Sequence, residues 1–336
     1  HVTLEKFGIR PFLFKKFMEH HVPFLQGYDV VIAHSFTGAL FAYEGYKRYG
    51  TPYFANWHGS DVHTHPWRRS VILKDTRKVM EAARCNFFVS NALMKASDKI
   101  TVNARKEVLY NGVSEEFVRL DVPAVERFGL SADEKVVAFA GNLSAVKNVL
   151  VLPSVFKAVT DRYTGPLHFV IAGDGKLRGS LESEFAALRE QVKVSFLGNV
   201  AAEDMPALMN CIDVLVLPSL NEGLPLVCAE ALSCGAAVVG SDVGGIAEVI
   251  GYDNVVPLVS PYDNDVFTGS PSDNGSPSDN VPPPGSHSEG LSRLYDDSFV
   301  NGMAEKVVAA LVGQAPSQAL PPDISWSRTA AQELAA

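Results

Sequence analysis

From Lys135 onward the chain alternates short apolar runs with stretches of helical periodicity. Val136–Ala140, Leu167–Ala172, Val192–Leu197, Val214–Leu217 and Ala236–Val239 each read as a strand buried on both faces. Val149–Val159, Leu177–Arg189, Ala202–Asn210 and Leu226–Ser233 lie between them and read as helices. Buried strands alternating with helices imply right-handed βαβ crossovers, and hence a parallel sheet.

The first part of the chain holds fewer such units. Tyr28–Ala33, Tyr53–Asn56 and Cys85–Val89 read as strands, with helices near Gly38–Tyr49 and Arg69–Ala83. Asn111-Gly112 marks a turn, and the segment to Leu130 reads as a connector. The expected division is an N-terminal domain over residues 1–125, a C-terminal domain over 126–315, and a tail over 316–336 returning toward the first domain. The first domain is short and the chain opens on His1, so its start is read as cut into an existing domain. Residues 261–290 are rich in Ser, Pro, Asp, Asn and Gly and carry a tandem hexapeptide, Gly269–Asn274 and Gly275–Asn280. So few apolar groups cannot offset ordering entropy, which predicts a mobile surface insertion there. Helical periodicity returns at Phe299–Leu311, and Ser325 or Ser327 is expected to cap a short helix ending at Ala336.

Composition narrows the function classes. The 336 residues suffice for two domains, and 47% hydrophobic with 20% charged residues is a soluble globular balance. A net charge of −9 argues against nucleic acid, whose phosphate backbone is held by excess Lys and Arg. A small anionic ligand needs only one or two local cations and some aimed backbone N–H groups. No apolar run is long enough to span a bilayer. Cys85, Cys211, Cys228 and Cys234 lie in apolar surroundings without metal-ligand spacing, as buried hydrophobes of a reduced compartment do, so a cytoplasmic protein is expected. Arg10 to Phe24 mixes Lys15 and Lys16 with Phe12, Phe14 and Phe17, the pattern of a helix lying on a membrane surface or, more commonly, packing on its own domain.

In an open parallel sheet, ligands bind at the carboxyl ends of the strands. The runs that follow the predicted strands are Gly141-Asn142-Leu143, Gly173-Asp174-Gly175, Gly198-Asn199-Val200, Pro218 through Gly223, and Ser241 through Gly245. Every one contains glycine, which favours a ligand cleft over five chance turns. In the run from Pro218 to Pro225, Pro225 suits the first position of a helix, whose free N–H groups can hold a phosphate. Glu222 precedes that helix and Glu230 lies inside it, so one carboxylate can face a sugar and the other a ribose. A purely structural reading stays open, with Glu222 favouring the helix dipole and Glu230 solvated. Lys147, expected at the start of a helix after Gly141, opposes that helix's dipole unless an anion binds there. His58, His63 and His65 are close enough in sequence to suggest a metal, but no acidic or thiol cluster supports one.

Glu222-Gly-Leu-Pro-Leu-Val-Cys-Ala-Glu230 resembles the paired-glutamate signature of the GT-B glycosyltransferases, specifically the large retaining family 4, the group 1 glycosyl transferases. Ser233–Val239, Asp242–Glu248, Val170–Gly175 and Phe196–Gly198 are similar to the same family. Trp57-His58-Gly59-Ser60-Asp61 resembles its histidine-glycine-x-aspartate loop, and Tyr110–Val113 its exit from the first domain. The resemblance implies two Rossmann-like α/β domains with parallel sheets facing a cleft, the first apparently incomplete. It implies retaining transfer of a hexose-type sugar from a UDP- or GDP-sugar to a carbohydrate, lipid-linked or protein acceptor, without metal or other cofactor. His58 and Glu222 are implied as catalytic. Gly141, Asn142, Lys147, Gly173, Asp174, Gly198, Asn199, Val200, Glu222, Gly223, Leu224, Pro225, Leu226 and Glu230 are implied as donor-binding. Within that set, Glu222 meets sugar hydroxyls, Glu230 the ribose, and Gly198 to Val200 the base. The chain departs from the family at Asn142, where an arginine usually pairs with the lysine, and has no glycine-rich acceptor loop ahead of His1. A silent sugar-nucleotide-binding subunit and a GT-B sugar-nucleotide epimerase are the alternatives. Asp263-Asn264-Asp265 has the letters of a metal-dependent transferase motif, but it opens the low-complexity stretch.

Overall fold

The computed structural model describes residues 16–18, 20–121, 123–258, 296–324 and 329. The expected insertion at 261–290, the basic-aromatic stretch as far as Lys15 and most of the expected last helix lie outside those residues. The chain divides into two compact units, one ending at Tyr110 and the next starting at Asn111.

The first unit runs β1 (Val31–His34), α1 (Ser35–Tyr49), β2 (Tyr53–Trp57), the single turn α2 (Ser60–His63), α3 (Ser70–Ala82), β3 (Cys85–Phe88), α4 (Asn91–Ala96) and β4 (Lys106–Val108). Its strands form one parallel sheet in the order β1-β2-β3-β4. β2 and β3 are wholly buried, as their aromatic runs require, and Tyr53, Trp57 and Phe88 are among the largest fully buried side chains. Asn86 is the polar exception in β3, and it is satisfied: it accepts from Trp57 Nε1 at 3.0 Å and donates to the Met80 and Arg105 carbonyls at 2.8 and 3.1 Å. α1 stops at Gly50, whose φ of 74° closes the helix with a bond to the Tyr46 carbonyl. β4 and α4 have no counterpart among the predicted elements, since Lys106-Glu107-Val108 offers one apolar residue.

The second unit runs β5 (Lys135–Ala140), α5 (Leu152–Thr160), β6 (Leu167–Ala172), α6 (Arg178–Ala187), β7 (Val194–Gly198), α7 (Met205–Met209), β8 (Val214–Leu217), α8 (Leu226–Ser233), β9 (Ala237–Ser241), α9 (Ile246–Ile250), β10 (Val255–Val256) and α10 (Asp297–Leu311). All its strands are parallel, in the order β10-β9-β8-β5-β6-β7. That is a doubly wound sheet whose direction of winding reverses between β5 and β8. Phe156 stacks on Phe169 at 4.3 Å and touches Phe185 at 5.8 Å, which meets Phe196 at 5.8 Å, so α5 and α6 are tied to β6 and β7 by one aromatic chain. Burying each such ring contributes about 1.5–3 kcal/mol.

One expectation is corrected. β7 is half-buried along its length rather than buried on both faces, because it forms the edge of the sheet. The chain divides between Tyr110 and Asn111, and the connector to Leu130 belongs to the second unit. There the Asn210 side chain accepts from the Leu120 N–H and donates to the Val118 carbonyl, and Arg127 pairs with Asp204. Within residues 316–324, Gln318 Oε1 accepts from the Val238 N–H at 2.7 Å and Nε2 donates to its carbonyl at 2.6 Å.

At the amino end of this sheet His168 is buried, its Nε2 2.8 Å from Ser195 Oγ and its Nδ1 3.3 Å from Glu134, which Lys193 also holds. Burial holds this imidazole below its ordinary value of 6.5, Lys193 adds to the effect and Glu134 offsets part of it. The unfolded imidazole therefore takes up a proton first. The stability it carries is complete above about pH 6.5 and is lost as the pH falls through the lower folded value. His168→Gln should lose less urea stability than the parent between about pH 7.5 and about pH 5.5. Equal acid losses in the two proteins would contradict this.

Candidate functional site

Because all strands of the second unit are parallel, the five glycine-bearing runs emerge on one edge of the sheet. Gly141 has φ 154°, Gly173 133°, Gly198 67° and Gly244 53°. Backbone bonds lace the runs together: Gly141 N–H to the Ala172 carbonyl at 2.9 Å, Leu143 N–H to Asp174 at 2.9 Å, and Gly173 N–H to Gly198 at 2.7 Å. A Cβ on Gly173 would stand 1.9 Å from the Gly141 carbonyl oxygen, and one on Gly175 would stand 2.5 Å from Asn142 Oδ1. Only glycine lets these loops stack so closely.

The stacked loops enclose a cavity of about 560 Å³, walled by Gly141, Asn142, Gly173, Asp174, Asn199 and Val200 among others, with Val227 from the first turn of α8. That volume is ordinary for a small-molecule site. A larger hollow of about 860 Å³ lies at the opposite, amino end of the strands. Its charges include Arg127, Glu134 and the pair Lys135–Asp213, and among the described residues no glycine lines it. The carboxyl edge is therefore the better candidate.

Next to the winding reversal, Lys147 Nζ lies 2.6 Å from Glu222 Oε1, and Ser219 Oγ donates to the same oxygen at 2.7 Å. Ser241 donates in turn to the Ser219 carbonyl. The Leu220 N–H bonds the Val146 carbonyl at 2.8 Å, tying the loop after β8 to the loop after β5. Two charges 75 residues apart thus meet because β5 and β8 are neighbours. The Glu222 side chain keeps 11% of its surface and that of Lys147 23%, so the pair is shielded yet reachable.

Lys147 does not sit at the head of a helix as expected. It ends a single turn, Ala145–Lys147, which left-handed Asn148 (φ 52°) closes, and α5 begins only at Leu152. The conflict with a helix dipole disappears, and the ion pair takes its place. Pro225 is likewise the residue before α8 rather than its first, since a ψ of 100° is extended; its carbonyl accepts the Cys228 N–H at 3.1 Å. Leu226 opens the helix, Leu224 is buried, and Gly223 accepts the Gly245 N–H at 3.1 Å.

Glu230 lies one turn inside α8, with burial raising its carboxyl above the usual range. The thiol of fully buried Cys228 is pushed far up by burial, with Glu222 and Glu230 adding and Lys147 offsetting, so both carboxylates act on the same neighbourhood. Neither carboxylate, nor Lys147, is among the residues walling the 560 Å³ cavity. The predicted site residues therefore fall into two groups, the glycine-walled cavity and the Lys147–Glu222 cluster, bridged by the start of α8. No role was assigned to Ser219 or Ser241, which hold Glu222 in place; the only signal was that they fall in the runs at the carboxyl ends of β8 and β9.

In the first unit His58 follows β2, its N–H held by buried Asp61 at 3.2 Å. His34, at the end of β1, was not anticipated. Its Nδ1 is 3.1 Å from His58 Nε2, with the ring centroids 5.3 Å apart and the planes within 16° of each other. His65 packs on Phe36 at 5.0 Å, and burial and then Lys99 hold His63 below its ordinary value. Among the described residues no three metal-ligating side chains cluster, and no helix is long and apolar enough to cross a membrane.

Residues 124–268 match the family model "Glycosyl transferases group 1", and residues 4–117 match "Glycosyltransferase Family 4". An uncharacterized glycosyltransferase of Methanocaldococcus jannaschii is 32% identical over 159 residues, 46% of this chain and 40% of that protein. The chain spans about half the length of the curated relatives it matches. Sucrose-phosphate synthase of Thermosynechococcus elongatus superposes with a TM-score of 0.64 at 18% identity, covering 100% of this chain and 79% of that one. Anabaena HepE in complex with UDP-glucose superposes at 0.60 with 16% identity, covering 96% and 82%. At those identities the likeness is one of fold.

Proposed function

From the premise that this chain belongs to the GT-B glycosyltransferases of group 1 and family 4, we propose that it moves a hexose-type sugar from a UDP- or GDP-sugar to a carbohydrate, lipid-linked or protein acceptor, with retention. The observation that carries this reading is the Lys147–Glu222 pair beside the winding reversal, 2.6 Å apart and backed by Ser219.

Without donor, each charge satisfies the other. An arriving diphosphate offers Lys147 a doubly charged partner and releases Glu222 to accept hydrogen bonds from sugar hydroxyls, while Ser219 keeps the carboxylate in place. When the anomeric C–O bond breaks, negative charge builds on the leaving diphosphate. Lys147, the Asn142 amide and the backbone N–H groups of Leu226 and Val227 meet that charge as fixed dipoles, so no metal is needed in this scheme. Gly198 to Val200 line the base, Gly173 and Asp174 the cavity wall, and Glu230 takes the ribose. His58 contributes to turnover from the first unit. Four free, buried cysteines suit a reducing compartment, and the cytoplasm is the proposed location.

A thermal-shift screen of UDP-, GDP- and ADP-sugars tests donor binding. A cognate donor at about a hundred times its Kd should add about 2.7 kcal/mol of apparent stability, a rise of several degrees. HepE was solved with UDP-glucose, so UDP-sugars come first. No shift with any nucleotide sugar would sink the reading. A shift without release of nucleoside diphosphate would favour a silent binding subunit, the second reading, which uncharged Asn142 supports.

A further inference from the structure

His34 and His58 are 24 residues apart and meet through sheet register. β1 and β2 are parallel neighbours with His34 opposite Asn56, so His34 closes one strand while His58 stands just past the end of the next. Both residues are then pinned. Ser35, directly after His34, has φ 64°, a region that residues other than glycine rarely occupy, and it starts α1 with no spacer. The backbone thus leaves β1 abruptly and keeps His34 at the sheet's rim. After His58, Gly59 turns at φ 151° and Asp61 fixes the His58 N–H.

The two rings lie 16° from coplanar with Nδ1 of His34 3.1 Å from Nε2 of His58, inside hydrogen-bond distance. Two imidazoles can bond this way only if one nitrogen donates and the other accepts. A single proton lies between them, since charging both rings sets like charges against each other. If His58 donates from Nε2, its Nδ1 carries a lone pair; if it accepts there, its Nδ1 carries the proton. Whatever His58 does to a substrate through Nδ1 has its hydrogen-bonding sense fixed at the other end of the ring.

We propose that His34 is a positioning residue for the transfer reaction: it holds His58 in one tautomer and one ring orientation. This rests on the reading of His58 as part of the transfer machinery. His34 touches no reacting atom in this scheme, and its influence passes through the His58 ring alone.

Four variants and one spectroscopic measurement test it. His34→Ala removes ring and bond, His34→Phe keeps an aromatic ring without a nitrogen, and His34→Asn places an amide where Nδ1 was. His34→Ala and His34→Phe should lower kcat roughly tenfold to a hundredfold, with the KM for the nucleotide sugar nearly unchanged. His34→Asn should recover most of that loss. Nitrogen-15 shifts of the His58 ring, read without substrate, should report one tautomer in the parent and in His34→Asn, and a mixture in the other two. Unchanged His58 ring shifts in His34→Ala, or a His34→Phe protein with the parent kcat, would overturn the proposal. His58→Ala is the separate control. If it turns over normally, the role given to His58 fails, while the ring shifts still decide whether His34 sets its tautomer.

Discussion

Glu222→Ala is expected to lower turnover by about 10²–10³-fold while the protein stays folded. The loss is large because, in the proposed transfer, this carboxylate meets the sugar that is being moved, and contacts that tighten as the glycosidic bond breaks act directly on rate. The fold survives because the pair is partly open. Lys147 keeps 23% of its side-chain surface and can turn to water once its partner is gone, so the loss stays below the roughly 3–5 kcal/mol of a fully buried charge left unpaired. The Ser219 hydroxyl loses its acceptor with the carboxylate, whereas the bond from Ser241 to the Ser219 carbonyl persists and keeps the loop in place. Glu222→Gln separates charge from shape: the amide can still accept from Ser219 but gives Lys147 no counter-charge. Steady-state turnover, a melting curve and far-ultraviolet circular dichroism decide it together. A folded Glu222→Ala protein within about threefold of parental turnover would remove the chemical role of the signature's first glutamate.

How much of this was legible beforehand depended on the kind of information each feature carries. β5, β6 and β8 could be read to within a residue or two because strands buried on both faces are continuous runs of Val, Leu, Ile and Phe. β7 looked the same on paper, but composition does not tell a central strand from an edge, and the sheet order left it half-covered. β4 carries one apolar residue and is fixed by its neighbour, not by its own pattern. Lys147 was misplaced for a local reason. A left-handed Asn148 costs about 1–2 kcal/mol that local propensity does not predict, and here it separates the turn that carries Lys147 from the helical stretch that follows. The Lys147–Glu222 contact spans 75 residues and the His34–His58 contact 24. Both follow from which strands are adjacent and in what register. The residue types of the site could therefore be named in advance, whereas the pairings that give them chemistry could not.

Gly244→Ala carries the sharpest structural consequence of that loop packing. Gly244 has φ 53°, and a Cβ there would lie 1.9 Å from the Glu222 carbonyl oxygen and 2.8 Å from its carbon. No side-chain rotation relieves a clash with backbone, so either the loop after β9 or the peptide of Glu222 must move. The neighbouring bond from the Gly245 N–H to the Gly223 carbonyl, 3.1 Å long, ties the same two loops and would be strained with it. Glu222 would then be displaced from Lys147 and Ser219 without any change to its own side chain. Turnover should fall roughly a hundredfold, as misplacement of a reacting group by about 1 Å does, and stability by about 2–4 kcal/mol. Gly50→Ala is the matched control. Its φ of 74° is also left-handed, but nothing lies within 4 Å of the added carbon. It should cost only about 1–2 kcal/mol of backbone strain and leave turnover intact. If the two alanines prove equally mild toward activity, the loop after β9 does not position Glu222, and the close approach of Gly244 is packing without consequence for the site.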